Sequence, residues 1–150
     1  PLLKDELRQA GITVQAHVAP GMHTVWGGNV AGEMVEWYRT QLADFSDVGK
    51  DPDWVELMGE AEATPHGARG VMFLPHMSAA SCPMVDPQSM GAFVGLTPRA
   101  TRGDILRAII EGLDYQFFDV VCAMETAMGG GLGRFVAVGG ATRNHFWMQS

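Results

Sequence analysis

The stretch VGGATRNHFW, residues 138–147, places two glycines directly behind an apolar run and ahead of a polar turn. Glycines let a backbone approach a ligand closely, and the free N–H groups of a helix start favour anions. A strand–Gly–Gly–helix arrangement of this kind therefore fits a phosphate or nucleoside site. It is not GxGxxG, and it lacks the lysine and hydroxyl pair of a P-loop. On pattern alone it reads first as a tight strand-to-helix turn. Asn144 is then free to cap the last helix, bond its own loop or touch a base.

Other groups that carry chemistry give weaker signals. Asp86, in VDPQ, has the charge to bind a sugar hydroxyl or a magnesium ion, but an aspartate before Pro87 more simply starts a turn. Glu111 and Asp114 share one side of a long helical pattern; a carboxylate pair there fits acid–base work, and a solvated stripe is the simpler reading. The histidines at 17, 23, 66, 76 and 145 form no HExxH, and adding Cys82 and Cys122 gives no recognised zinc spacing. Trp26, Trp37, Tyr38, Trp54 and Phe117 are able to stack on sugar rings, although their places on helix faces favour core packing. No GxSxG nucleophile elbow is present.

These residues need elements to position them. The pattern predicts a short helix over Leu2–Ala10 and a strand in ITVQAHV, residues 12–18, with a second short strand or irregular segment at His23–Trp26 after the Pro20–Gly21 turn. A helix capped by Asn29 follows, with Val30, Met34, Trp37, Tyr38 and Leu42 on its apolar face. DPDWVELMGEA opens another helix, with Asp53 and Glu56 as a capping box and Trp54, Leu57 and Met58 inward. VMFLP is a short buried strand, and residues 76–98 read as a long small-residue loop that suggests function. Thr101 and Asp104 form a second capping box, and the apolar set from Ile105 to Met128 predicts a long helix over Gly103–Ala127. Phe135–Val138 is expected as a core strand. Helices alternating with short strands point to an α/β or α+β layering.

Composition sets the wider bounds. Of 150 residues, 47% are hydrophobic and only 18% charged, which supports a packed core over disorder. The formal charge of −7 with no basic patch disfavours nucleic acid as a partner. No run of 18 apolar residues is available to span a bilayer. Two separated cysteines and no signal-peptide pattern suit a reducing, cytoplasmic setting.

Four blocks in order resemble the FGGY carbohydrate kinases, in their second domain. HVAPGMHTVWGGNVAGEMVEWYR is similar to the upstream segment, and GVMFLPHMSAASCPMVDPQSMGAFVGL to the Phe-Leu-Pro, Asp-Pro and Gly-x-Phe-x-Gly-Leu block. TRGDILRAIIEGLDYQF resembles the long helix of that domain, and GGATRNHFWMQ its adenosine motif.

The resemblance implies an α/β lobe of the ribonuclease-H-like, actin-like ATPase type, incomplete in this chain. Residues 1–150 would be a partial C-terminal domain, with the first domain and the chain end absent. The activity implied is ATP- and magnesium-dependent phosphorylation of a ketose or polyol such as xylulose, ribulose or glycerol. Gly139, Gly140 and Ala141 would line the adenosine pocket with backbone, and Asn144 would contact adenine. Trp147 and Gln149 match positions that fix the helix behind it. The general base would be an aspartate of the first lobe, so no catalytic residue and no metal ligand is assigned here. The sugar or polyol would be held through that missing lobe, and a homodimer is compatible with the family.

One departure stands out. Many members carry Gly-Glu-Arg before the proline, where this chain has Ala79–Ala80–Ser81–Cys82–Pro83, and Met90 replaces a common arginine. This leaves open a non-catalytic nucleotide- or sugar-binding relative. Rivals of other classes are a nicotinamide-dependent oxidoreductase, which needs a GxGxxG, and a structural domain without a pocket.

Overall fold

The computed structural model describes residues 5–28, 31–43, 53–132 and 136–150. Everything is arranged around one long helix. In chain order the elements are α1 (Asp5–Gln9), β1 (Thr13–Ala16), β2 (His23–Trp26), α2 (Ala31–Gln41), α3 (Trp54–Ala63), β3 (Met72–Leu74), β4 (Ala92–Val94) and α4 (Arg102–Met128). Short 3-10 turns follow at Ala68–Gly70, Gly140–Arg143 and Trp147–Gln149.

The central helix begins where its sequence says it should. The Thr101 hydroxyl accepts from the Asp104 N–H, and the Asp104 carboxylate accepts from the Thr101 N–H at 2.8 Å, which completes the capping box. The helix ends on Gly129 in a left-handed conformation, φ 75°. The box expected at Asp53 is half formed. Asp53 caps α3 by accepting from the Val55 N–H, but Glu56 reaches away to the Arg102 guanidinium.

Two antiparallel hairpin-like pairs lie beside the helices. Thr13 pairs with Trp26 and Ala16 with His23 in the first; Met72 pairs with Val94 and Leu74 with Ala92 in the second. The expected loop over residues 76–98 thus contains a strand, β4, which a three-residue run is too short to announce by alternation.

The main core joins α2, α3, β3 and the first half of α4. Tyr38, Leu57, Ala61, Leu106, Ile109 and Ile110 are all fully buried there. A smaller cluster of Leu7, Ile12, Cys82, Val120 and Met124 sits under α1 and β1. Gly112 permits a close approach at the centre of the fold: a Cβ there would lie 2.4 Å from the Phe73 carbonyl oxygen, so β3 can cross α4 only over a glycine.

Several expectations are corrected. Only Asp5–Gln9 of the predicted first helix is helical within the described residues, and the Asn29 cap and Val30 lie outside them. Phe135 also lies outside, and residues 136–138 form no strand, with Val136 and Val138 72% and 86% exposed. A strand needs a neighbour to bond, and none pairs with this segment among the described residues. Trp26, Trp54 and Phe117 are surface residues rather than core, because each falls on the outward side of its element. Tyr38 and Trp37 do pack inward, and the Tyr38 hydroxyl donates to the Arg102 carbonyl at 2.8 Å.

Candidate functional site

The glycine turn lies beside α2, and Phe146 and Trp147, which follow it, pack against Arg107 and Asp114 of α4. Gly139 has φ 123°, a conformation that L side chains rarely adopt, and a Cβ on Gly139 or Gly140 would meet only open space. The protein's own packing therefore does not fill the room above these two residues. The Thr142 hydroxyl donates to the Gly139 carbonyl at 2.7 Å, and the Asn144 N–H to the Ala141 carbonyl at 2.9 Å, which closes the turn.

No regular helix follows Asn144. It lies in an extended conformation between two 3-10 turns. Its side-chain oxygen accepts from the Trp147 N–H at 3.0 Å. That bond orients the carboxamide. The oxygen is engaged by the chain, so the NH2 group, which has no partner among the described residues, is left as a donor. The structure thus gathers Gly139, Gly140, Ala141 and Asn144 into one turn, the two glycines exposed and Ala141 and Asn144 half-buried.

The polar residues behind the turn were not legible as a unit. Arg107, Glu111 and Asp114 occupy one face of α4. Glu111 is 9% exposed and Arg107 3%, so the expected solvated stripe is instead a buried network. Arg107 Nε donates to Glu111 Oε1 at 2.7 Å, and both Glu111 oxygens accept from the Gly67 N–H at 3.1 Å. The Arg107 guanidinium also donates to His66 Nδ1 at 2.6 Å, which fixes that nitrogen as the acceptor. The i, i+4, i+7 spacing was the available signal. Asp114 accepts from the Trp147 indole N–H at 3.0 Å and from the Ser150 hydroxyl at 2.7 Å. Burial pushes its carboxyl above the ordinary value of 3.8, and those two hydrogen bonds only partly offset the rise.

Asp86 lies apart from the turn and behaves as a turn residue. Its backbone pairs with Ala80, and its carboxylate accepts from the Gln88 N–H at 2.9 Å. Ala79, the first residue of the altered stretch, holds φ 76°, a conformation that suits glycine. Among the described residues no group of three or more His, Cys, Asp or Glu side chains is placed to hold a metal ion. Among the described residues no helix is long and apolar enough to cross a membrane.

The sequence model of the FGGY carbohydrate kinases' C-terminal domain matches residues 4–150. The chain belongs to the FGGY family of carbohydrate kinases. Similar proteins include a xylulose kinase of Staphylococcus epidermidis, 27% identical across 89% of this chain and 26% of its own. Glycerol kinase 1 of Clostridium tetani is 34% identical across 80% of this chain and 23% of its own. The crystal structure of xylulose kinase from Rhodospirillum rubrum superposes with a TM-score of 0.74 at 27% identity, covering 91% of this chain and 27% of that one. The chain therefore spans about a quarter of the length of these FGGY relatives. Their fold makes the mixed layers seen here part of an actin-like ATPase lobe, as the resemblance implied.

Proposed function

We propose that this chain is a section of the C-terminal domain of an ATP-dependent carbohydrate kinase, and that it supplies the adenosine side of the cleft. The observation that carries this reading is the family match across residues 4–150. The turn geometry supports it. Open space over Gly139 and Gly140 leaves room for a flat ring against backbone, and Asn144 offers an N–H donor of the kind a base nitrogen accepts.

The acceptor is a ketose or a polyol. That range follows from relatives described as xylulose and glycerol kinases. Phosphoryl transfer requires little covalent chemistry from the protein beyond positioning and charge stabilisation. This segment contributes the positioning of the nucleotide. An aspartate of the other lobe takes the proton of the attacking hydroxyl, and magnesium, when bound, offsets phosphate charge.

An ADP-release assay on the full-length protein, run with ATP over a panel of ketoses and polyols, tests the reading. Turnover is expected with at least one acceptor, and none from the 150-residue chain by itself. A folded full-length protein inactive with every acceptor would favour the regulatory relative, which the missing Glu–Arg pair at residues 79–82 motivates. Turnover by the 150-residue chain would place the base within it.

A further inference from the structure

We infer that Arg107 and Asp114 are positioning residues for the nucleotide turn, acting on Asn144 through Phe146 and Trp147. This rests on the reading of Gly139–Asn144 as the adenosine side. Buried charges are costly unless paired, so a buried arginine on a core helix needs a reason. Glu111 and His66 hold the edges of the Arg107 guanidinium. Its flat face remains, and the Phe146 ring lies over it at 4.9 Å. Because Glu111 is itself bonded to the Gly67 N–H, the guanidinium cannot swing away from that ring without breaking a second contact.

Asp114 acts one residue further along. It fixes the indole N–H of Trp147, while the backbone N–H of the same tryptophan donates to the Asn144 side-chain oxygen. Trp147 is thus tied at both ends. Asp114 sets where Trp147 sits, and Trp147 sets which face of the Asn144 carboxamide is turned outward. Elsewhere the segment has little to hold it: Val136, Val138, Gly139 and Gly140 are all exposed. A binding group on a loose segment has to be ordered on binding, which weakens affinity. The two anchors on α4 supply that order in advance.

The test uses full-length protein and three variants: Asp114→Ala, Asp114→Asn and Phe146→Leu. Asparagine keeps an acceptor oxygen for the Trp147 indole, whereas alanine leaves it unpaired. Leucine keeps the apolar contact but removes the ring from the guanidinium. Binding of a non-hydrolysable ATP analogue is measured by calorimetry, together with the KM values for ATP and for the acceptor and the melting temperature. Loss of one hydrogen bond or cation–ring contact is expected to weaken nucleotide binding about threefold to tenfold in Asp114→Ala and Phe146→Leu. Asp114→Asn is expected within about twofold of wild type, and the acceptor KM unchanged in all three. Equal losses for nucleotide and acceptor, or a lowered melting temperature with unchanged nucleotide binding, would overturn the inference and leave Arg107 and Asp114 as packing residues only. If the wild type binds the acceptor but no nucleotide, the functional reading itself fails and the inference falls with it.

Discussion

The two carboxylates Asp104 and Asp114 lie on the same helix and are held in opposite ways. Asp104 is fully buried and is satisfied almost entirely by its neighbours Thr101 and Arg69. Burial drives its carboxyl up, but the Thr101 backbone and hydroxyl bonds and the Arg69 guanidinium outweigh it, leaving it below the ordinary 3.8. Asp114 has no close cation bonded to it. Its partners come from Trp147 and Ser150, 33 and 36 residues away, and burial wins, leaving it above 3.8. The start of α4 is therefore a charge-stabilised scaffold, closed by Thr101 within its own first turn and by the Arg69 guanidinium 35 residues away. At its middle Asp114 is hydrogen-bonded by neutral partners alone, and Trp147 links Asp114 to the Asn144 side chain.

The widest separation between scaffold and site is expected from the core. Ile109→Ala, at a fully buried position, should destabilise the protein by about 2–5 kcal/mol. Phe118→Ala, on the exposed side of the same helix, should stay within about 0.5 kcal/mol. Urea unfolding of both compares them, and equal losses would show that Phe118 is covered. Next comes the cap. Thr101→Ala should cost about 0.5–2 kcal/mol while nucleotide affinity holds within about twofold. A parallel drop in affinity would mean the helix start and the turn are one unit.

The pH dependence sharpens the same contrast. Asp104 has a lowered folded-state pKa, so its stabilisation is complete above 3.8 and is lost as pH falls through the lowered value. Asp114 has a raised one, so its contribution is complete below 3.8 and is lost as pH rises through the raised value. In unfolding experiments over acid pH, Asp104→Asn should flatten the loss on the acid side. Asp114→Asn should remove a decline toward neutral pH. A shared direction for both variants would contradict the comparison. The smallest effect belongs to Ala79. Glycine relieves its left-handed backbone, so Ala79→Gly should raise stability by about 0.5–1 kcal/mol in a thermal melt.

What could be read in advance follows the same division. The Thr101–Asp104 box, the span of α4 and the inward set on α2 were legible, because each depends on residues within a turn or two of one another. The Asp53 box was half legible, since Glu56 had a stronger partner in Arg102, far off in sequence. Residues 136–138 do not form the strand that their apolarity suggested, as a strand is a property of a pair. Glu111 and Asp114 were read as solvated because nothing nearby announced Gly67, Trp147 or Ser150. The glycine turn was legible as a pattern, but its assignment to a nucleotide came from resemblance, not from spacing.

Asn144→Asp in the full-length protein tests that assignment most directly. Aspartate keeps an oxygen to accept the Trp147 N–H, so the local structure is retained, while the outward donor becomes an acceptor. Calorimetry with an ATP analogue and, separately, with the acceptor reads the two halves of the cleft. Nucleotide binding is expected to fall about tenfold or more, with acceptor binding and melting temperature unchanged, because a base nitrogen would then face an oxygen with no proton to offer. Nucleotide binding within about twofold of wild type would show that Asn144 only caps its own turn.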